Sequence, residues 1–339
     1  MIVINGISAV SGGALTVLKA FIDSFDGEAI CFCAVDPSML PKNKDVRYIC
    51  VGHQRGLSRL FWDCFKFNST LKRLNIDLST CYSFNNMAPF FRSYSSVKQI
   101  VFYHQAIPLS EFKFSIFLPA GLRILFYKRV YQFFVRAYDS GNVIYIVQAE
   151  WIKRALSSRF RIPMSRICVE RPSFSCPAYV SEGLDWYDRI DYIFPADDYQ
   201  YKNHDLLIKI VDFISKSKEL KCHNIAIGLT LDQDSWVFDV VNKKGLEQYF
   251  VFLGAQQREN ILGAFAHGCG LVFPSLVETV GLPLLEALRY KASILVADRP
   301  YSREVLGNAS NCIFIDPDDI EKWASALSTG NRRRLNEFR

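Results

Sequence analysis

The segment richest in chemical possibility is FPSLVETVGLPLLEAL, Phe273 to Leu288, an apolar run that turns into a helical pattern. Pro283 suits a first helical turn, where its missing N–H would have had no partner. The backbone N–H groups of Thr279, Val280, Gly281 and Leu282 then lie at the positive end of a helix, a natural seat for a diphosphate. Gly281 permits close approach of a ligand to the backbone. Glu278 stands in the turn and Glu286 inside the helix, so two carboxylates eight positions apart flank one bound molecule. Carboxylates accept paired hydrogen bonds from vicinal hydroxyls, as on a ribose or a hexose.

Three further places carry chemistry. In DDYQYKNHDLL, Lys202 with Asn203 follows an apolar run and precedes a helical one. An ammonium there would neutralise charge on a departing diphosphate. In SAVSGGALTVLKAF, Gly12 and Gly13 open a helix, which by itself is more often a tight turn than a binding loop. His104 closes the run VFYHQA, and a lone histidine at a strand end is more often structural than functional. The remaining histidines show no H-x-x-H or H-E-x-x-H spacing, so neither a catalytic metal nor a cofactor is expected. The absence of a G-x-S-x-G elbow, a P-loop or a strict G-x-G-x-x-G argues against hydrolase, NTPase and dinucleotide enzymes.

Positioning these groups requires alternating strands and helices. Short β-branched and aromatic runs predict strands near 2–7, 29–35, 46–50, 78–83, 98–104 and 143–147 in the first half, with helices near 13–25, 57–74, 114–138 and 149–159. In the second half strands are expected near 191–195, 223–229, 249–253, 269–274, 293–297 and 312–315, each followed by a helix. The pattern predicts an α/β chain of two Rossmann-like doubly wound domains, at 1–172 and 190–325, facing each other across a cleft. The segment 173–189, proline-bearing and aperiodic, reads as an interdomain linker, and 326–339 as a basic tail.

Composition narrows the classes. Half of the 339 residues are apolar, enough for two cores, and disorder is excluded. The net charge of +6 is spread along the chain and does not by itself choose among nucleic acid, anionic membrane and phosphorylated ligand. Ten cysteines, scattered without a C-x-x-C pair, suit a reduced cytoplasmic protein. No run reaches the roughly 18 apolar residues of a membrane span. The stretch 112–138 mixes many aromatics with Lys113, Arg123, Lys128, Arg129 and Arg136. It reads either as a buried helix pair with snorkelling cations or as a surface that rests on anionic lipid at the inner face of the cytoplasmic membrane or grips a lipid-linked acceptor.

The run E-T-V-G-L-P-L-L-E resembles the E-x7-E signature of retaining GT-B glycosyltransferases, above all glycosyltransferase family 4. FLGAQQRENILGAFAHGCGLVFPS before it and ILVADRPYSREVLGNASNCIFIDPDD after it follow the order of that family, so the resemblance covers about residues 190–325. It implies metal-independent transfer of a sugar, with retention, from a nucleotide-diphosphate donor to a glycan or polyprenyl-linked glycan in O-antigen or capsular synthesis, without nucleic acid. It also implies that Glu286 holds the donor ribose, Glu278 the transferred sugar, and the Thr279–Leu282 amides the sugar and phosphate. Lys202 resembles the second member of the family's basic pair, while Gly12, Gly13 and His104 match places that approach the donor. Thr279-Val280 stands where the family usually has Gly-Phe, and the pair's first arginine is absent near Tyr199 and Gln200. A catalytically silent GT-B scaffold and a nucleotide-sugar epimerase are the alternatives.

Overall fold

In a computed structural model the described residues are 1–334 without 11, 53, 55, 56, 91–96, 118–120, 172–182 and 221–224. The chain divides into two compact units, Met1–Leu109 with Leu125–Ser173, and Ser110–Ile124 with Phe174–Arg339.

The first unit holds a seven-stranded parallel sheet of β1 (Ile2–Gly6), β2 (Ala29–Cys33), β3 (Val46–Cys50), β4 (Thr80–Ser83), β5 (Lys98–Phe102), β6 (Val143–Val147) and β7 (Ile167–Val169). Their order is β3-β2-β1-β4-β5-β6-β7. Strands such as IVING and AICFC are apolar almost throughout because helices cover both faces of a parallel sheet. Alternation of side chains splits the core in two. Ile4 joins Leu15, Leu18 and Ile22 of the helix Gly12–Asp23 on one face, where Phe84 stacks on Phe102 at 4.2 Å. Val3 joins Phe32, Trp62, Phe67 and Leu71 on the other. Burying one such side chain contributes about 1.5–3 kcal/mol, which fixes strand register.

The second unit repeats the plan with β8 (Tyr192–Phe194), β9 (Ile227–Leu229), β10 (Phe250–Phe252), β11 (Gly270–Phe273), β12 (Ile294–Ala297) and β13 (Cys312–Ile315). Its order is β10-β9-β8-β11-β12-β13, again all parallel. In each sheet the order reverses once, between β1 and β4 and between β8 and β11. Crevices beyond the carboxyl ends of strands at such a switch point are where open α/β folds bind ligands.

Several expected boundaries move. Helix 57–74 is interrupted by a π-helical stretch at Trp62–Lys66, and the long helix expected at 114–138 begins only at Gly121 and passes through a second one at Phe126–Val130. Aromatic density carries no helical period before Gly121, so composition overstated the length. The strand Ile167–Val169 went unpredicted, since three residues are too few to show a period. The basic tail expected at 326–339 is folded through Arg334 as the end of the helix Ile320–Arg334, with Trp323 and Leu327 buried. Residues 173–182 of the expected linker, and 335–339, lie outside the described residues.

Segment Ser110–Ile124, which the sequence suggests for the first domain, packs with the second unit. Ser115 N–H donates to Gln200 Oε1 at 3.0 Å while Gln200 Nε2 donates to the Ser115 carbonyl at 2.9 Å, so one side-chain amide mimics a strand partner. Phe112 meets the edge of Tyr201, and the Arg123 guanidinium lies 5.8 Å from the Tyr199 ring centroid. No helix among the described residues is long and apolar enough to cross a membrane.

Candidate active site

At the switch point of the second sheet, two loops converge. The loop after β8 passes through a 3-10 turn, Gln200–Lys202, and reaches Asn203 in the left-handed region (φ 63°) before the helix His204–Lys216. The loop after β11 carries Glu278. Leu276 N–H donates to the Tyr201 carbonyl at 2.7 Å and Asn203 Nδ2 to the Pro274 carbonyl at 3.4 Å, which ties the loops together. Asn203 therefore uses its side chain to join loops. Across this junction Lys202 Nζ donates to Glu278 Oε1 at 2.7 Å, with side-chain exposures of 16% and 14%. Such a pair is shielded enough for strong attraction and open enough for a ligand to exchange with it. Tyr201, stacked on Tyr199 and 5.5 Å from Lys202 Nζ, forms an aromatic wall to the ammonium.

Gly281 precedes the helix Leu282–Arg289 at φ 74°. An added Cβ would sit 3.2 Å from Leu284 Cδ1 and 3.3 Å from Phe273 Cε1, so both conformation and space require glycine. Pro283 lies in the first turn as expected. Val280 buries its side chain, leaving only its backbone for a ligand, while Thr279 and Leu282 are partly exposed. Glu286, one turn on, is almost fully buried, and Arg258 Nε donates to its Oε1 at 2.6 Å. Burial raises the Glu286 carboxyl above its ordinary value, and Arg258 pulls it back.

Sequence reasoning missed Arg258, the first residue of the helix Arg258–Ala266. One signal was present: a cation in a first helical turn opposes the helix dipole, so it calls for a tertiary partner.

In the first unit, Gly12 starts its helix at φ 58° with open space around both Gly12 and Gly13. His104 follows β5. The residue as a whole is partly exposed, yet its ring Nε2 is buried without a hydrogen-bond partner. Gln148 Nε2 bonds Nδ1, and the His104 N–H donates to Asn86 Oδ1. An amide nitrogen can only donate, so Nδ1 accepts and the neutral ring carries its proton on Nε2. Burial lowers His104 to about 4, with the Gln148 bond opposing, so the imidazole is neutral at physiological pH.

A buried polar network that the sequence did not reveal lies at this sheet's own switch point. Asp63 Oδ1 accepts from Asn5 Nδ2 at 3.0 Å and from Asn85 Nδ2 at 2.8 Å. Burial pushes Asp63 up to about 6 against the attraction of Arg59 and these two bonds.

Within the stretch 112–138, Ile124, Tyr131 and Val135 are buried, while Phe117 (92% exposed), Leu122 (73%) and Phe133 (69%) face solvent.

Residues 187–329 match the family model described as Glycosyl transferases group 1. The solved glycosyltransferase WaaG, involved in lipopolysaccharide biosynthesis, superposes with a TM-score of 0.66 at 12% identity, covering 97% of this chain and 90% of that one. Anabaena Alr3699/HepE, solved with UDP and glucose, does so with a TM-score of 0.66 at 15% identity, over 97% and 89%. The chain has a GT-B fold, and residues 187–329 of it match the glycosyltransferase model. Against the O-antigen chain mannosyltransferase RfbU of Salmonella typhimurium, this GT-B chain is 35% identical over 63 residues, 19% of its own length and 17% of the relative's. The Lys202–Glu278 pair and Glu286 all fall inside the matched domain.

Proposed function

We propose that the chain is a retaining glycosyltransferase of family 4 that moves a hexose from a nucleotide-diphosphate donor onto a glycan in surface-polysaccharide synthesis. The observation that carries the reading is the Lys202–Glu278 pair spanning the second sheet's switch point beside the helix Leu282–Arg289. When donor binds, its diphosphate takes over Lys202 and the amide end of that helix, so negative charge developing on the leaving group meets a cation and aligned N–H groups. Glu278, released from Lys202, faces the transferred sugar and eases positive charge building there. Glu286, held by Arg258, accepts from the ribose hydroxyls.

In the first unit the neutral His104 offers its Nε2–H to a sugar hydroxyl once local rearrangement on binding uncovers that buried atom, and the open Gly12-Gly13 turn gives backbone access to phosphate or acceptor. Because Lys202 and backbone dipoles supply the positive charge, transfer proceeds without a metal ion. The acceptor is a polyprenyl-linked glycan, and the exposed Phe117 and Leu122, beside Lys113 and Arg123, rest on anionic lipid at the cytoplasmic membrane face. The mannosyltransferase relative supports mannose as the first sugar to try.

The test is thermal stabilisation of the purified protein across UDP, GDP, CMP and dTDP with their common sugars, with and without magnesium. One nucleotide family should raise Tm equally in both conditions, and Glu286→Ala should lose the shift. No shift with any nucleotide would favour a silent scaffold. Nuclear magnetic resonance of freshly formed product then reads the anomeric outcome, and inversion would refute retention.

A further inference from the structure

Asp63 sits where a ligand crevice would otherwise open in the first unit, on the π-helical stretch Trp62–Lys66 between β3 and β4 in the chain. Its contacts reach both flanks of the switch point. Through Oδ1 it holds Asn5, at the carboxyl end of β1, and Asn85, just beyond β4. Its backbone carbonyl accepts the Phe90 N–H at 3.1 Å, so Asp63 grips the loop 84–90 near its start and at its end. A π turn displaces the helical hydrogen-bond pattern and aims side chains and carbonyls that an α-helix would turn elsewhere, and such turns recur at functional sites.

Asn85, so held, passes the constraint on in two directions. Its Oδ1 accepts the Ser8 N–H at 3.1 Å, on the segment that leads from β1 to Gly12 and Gly13. Its carbonyl accepts from Tyr131 Oη at 2.9 Å and from Arg59 Nη2. Tyr131 follows the second π turn, Phe126–Val130, so both irregular helices of this unit direct a side chain onto the same short loop. The next residue, Asn86, adopts φ 61° and takes the His104 N–H on its Oδ1. A single carboxylate is thus joined, through one loop, to the diglycine turn and to His104.

We propose that Asp63 is a positioning residue for sugar transfer, which sets His104 and the Gly12-Gly13 turn by anchoring the loop 84–90 across the switch point of the first sheet. This rests on the transferase reading for its kinetic consequence, though the positional part does not. Asp63→Ala strips the acceptor from two buried amides, whereas Asp63→Asn keeps one oxygen that can accept from both.

The experiment combines amide hydrogen exchange with steady-state kinetics on the full chain. Asp63→Ala should speed exchange about tenfold or more at Ser8, Asn85, Phe90 and His104 while the second unit's amides stay as in wild type, and Asp63→Asn should restore protection. In kinetics, Asp63→Ala should lower kcat at least about tenfold with nucleotide Kd within about twofold, and Asp63→Asn should recover most of that loss. A folded Asp63→Ala protein with wild-type exchange at these amides would overturn the proposal, as would an equal loss of kcat in Asp63→Asn. Should Asp63→Ala not fold, Tyr131→Phe, which removes one donor to the Asn85 carbonyl and keeps the ring, must show the same exchange pattern at smaller amplitude. If wild type transfers no sugar, the functional reading fails, and the exchange data still decide whether Asp63 positions the loop.

Discussion

The two sheets reverse their strand order in the same way, yet the crevices at their switch points are filled differently. In the second unit a cation faces a carboxylate, Lys202 against Glu278, and a second pair joins Arg258 of the helix Arg258–Ala266 to Glu286 of the helix Leu282–Arg289. In the first unit the carboxylate of Asp63 is bonded by two neutral amides, and His104 is neutral as well. Topology alone therefore does not decide what a crevice does. Charges paired at a partly open junction can be exchanged for a charged ligand, whereas a buried carboxylate that holds two amides on one oxygen is spent on keeping loops in place.

The largest effect expected from this contrast is at Glu278. Glu278→Ala should lower kcat/KM on the order of 10²–10³-fold, because it removes the carboxylate placed to meet charge on the sugar in the transition state. The fold should survive, since the side chain is not part of either core and Lys202 can extend into solvent. Transfer assays alongside far-ultraviolet circular dichroism check both halves. Near-normal turnover would erase the distinction between an exchangeable pair and a structural one.

How much of this was legible follows the same division. The strands were legible because burial on both faces forces unbroken apolar runs, and Glu278 and Glu286 because Gly281 and Pro283 mark a loop entering a helix. Lys202 was legible as a cation after a strand, though its pairing with Glu278 was not, because the partners lie 76 positions apart. Asp63 was invisible for the same reason: Asn5 and Asn85 stand 58 and 22 positions away, and an aspartate inside an amphipathic helix ordinarily faces water. Ser110–Ile124 was assigned by sequence proximity, but one glutamine amide and a pair of tyrosines attach it to the second unit.

A middle-sized effect is expected where Arg258 meets Glu286. Removing one partner of a fully buried pair costs about 3–5 kcal/mol. Arg258 is 42% exposed, however, so solvent screening reduces the expected loss in Arg258→Ala to about 1–2 kcal/mol. The pH dependence gives the sharper reading. Burial already raises Glu286 in the folded state, so its contribution to stability falls as pH rises from the ordinary carboxylate range through the raised value. Without Arg258 the value moves higher still and the window widens upward. Denaturant melts at pH 5 and pH 8 should therefore show a deficit against wild type that is larger at pH 8. A deficit independent of pH would mean that Arg258 contributes packing and not charge.

The smallest effect expected marks where the charged junction of the second unit stops. His204, directly after Asn203, is fully buried against Phe194 at 4.7 Å, and neither ring nitrogen has a hydrogen-bond partner. Burial, then the nearby Lys202 charge, lowers it to about 3. It thus belongs to the core and not to the chemistry one residue away. His204→Leu exchanges unsatisfied polar atoms for apolar ones of similar volume, so at pH 7.5 stability should rise by up to about 1 kcal/mol. The wild-type unfolded chain takes up a proton near the ordinary histidine value of about 6.5 while the folded chain stays neutral, so wild type loses stability as pH falls through that value. The leucine variant has no such loss, and its advantage should grow by less than about 1 kcal/mol between pH 7.5 and pH 6. Chemical denaturation at the two pH values measures it. A destabilised variant would mean that His204 has a partner in solution, and the junction of charges would then extend into the core.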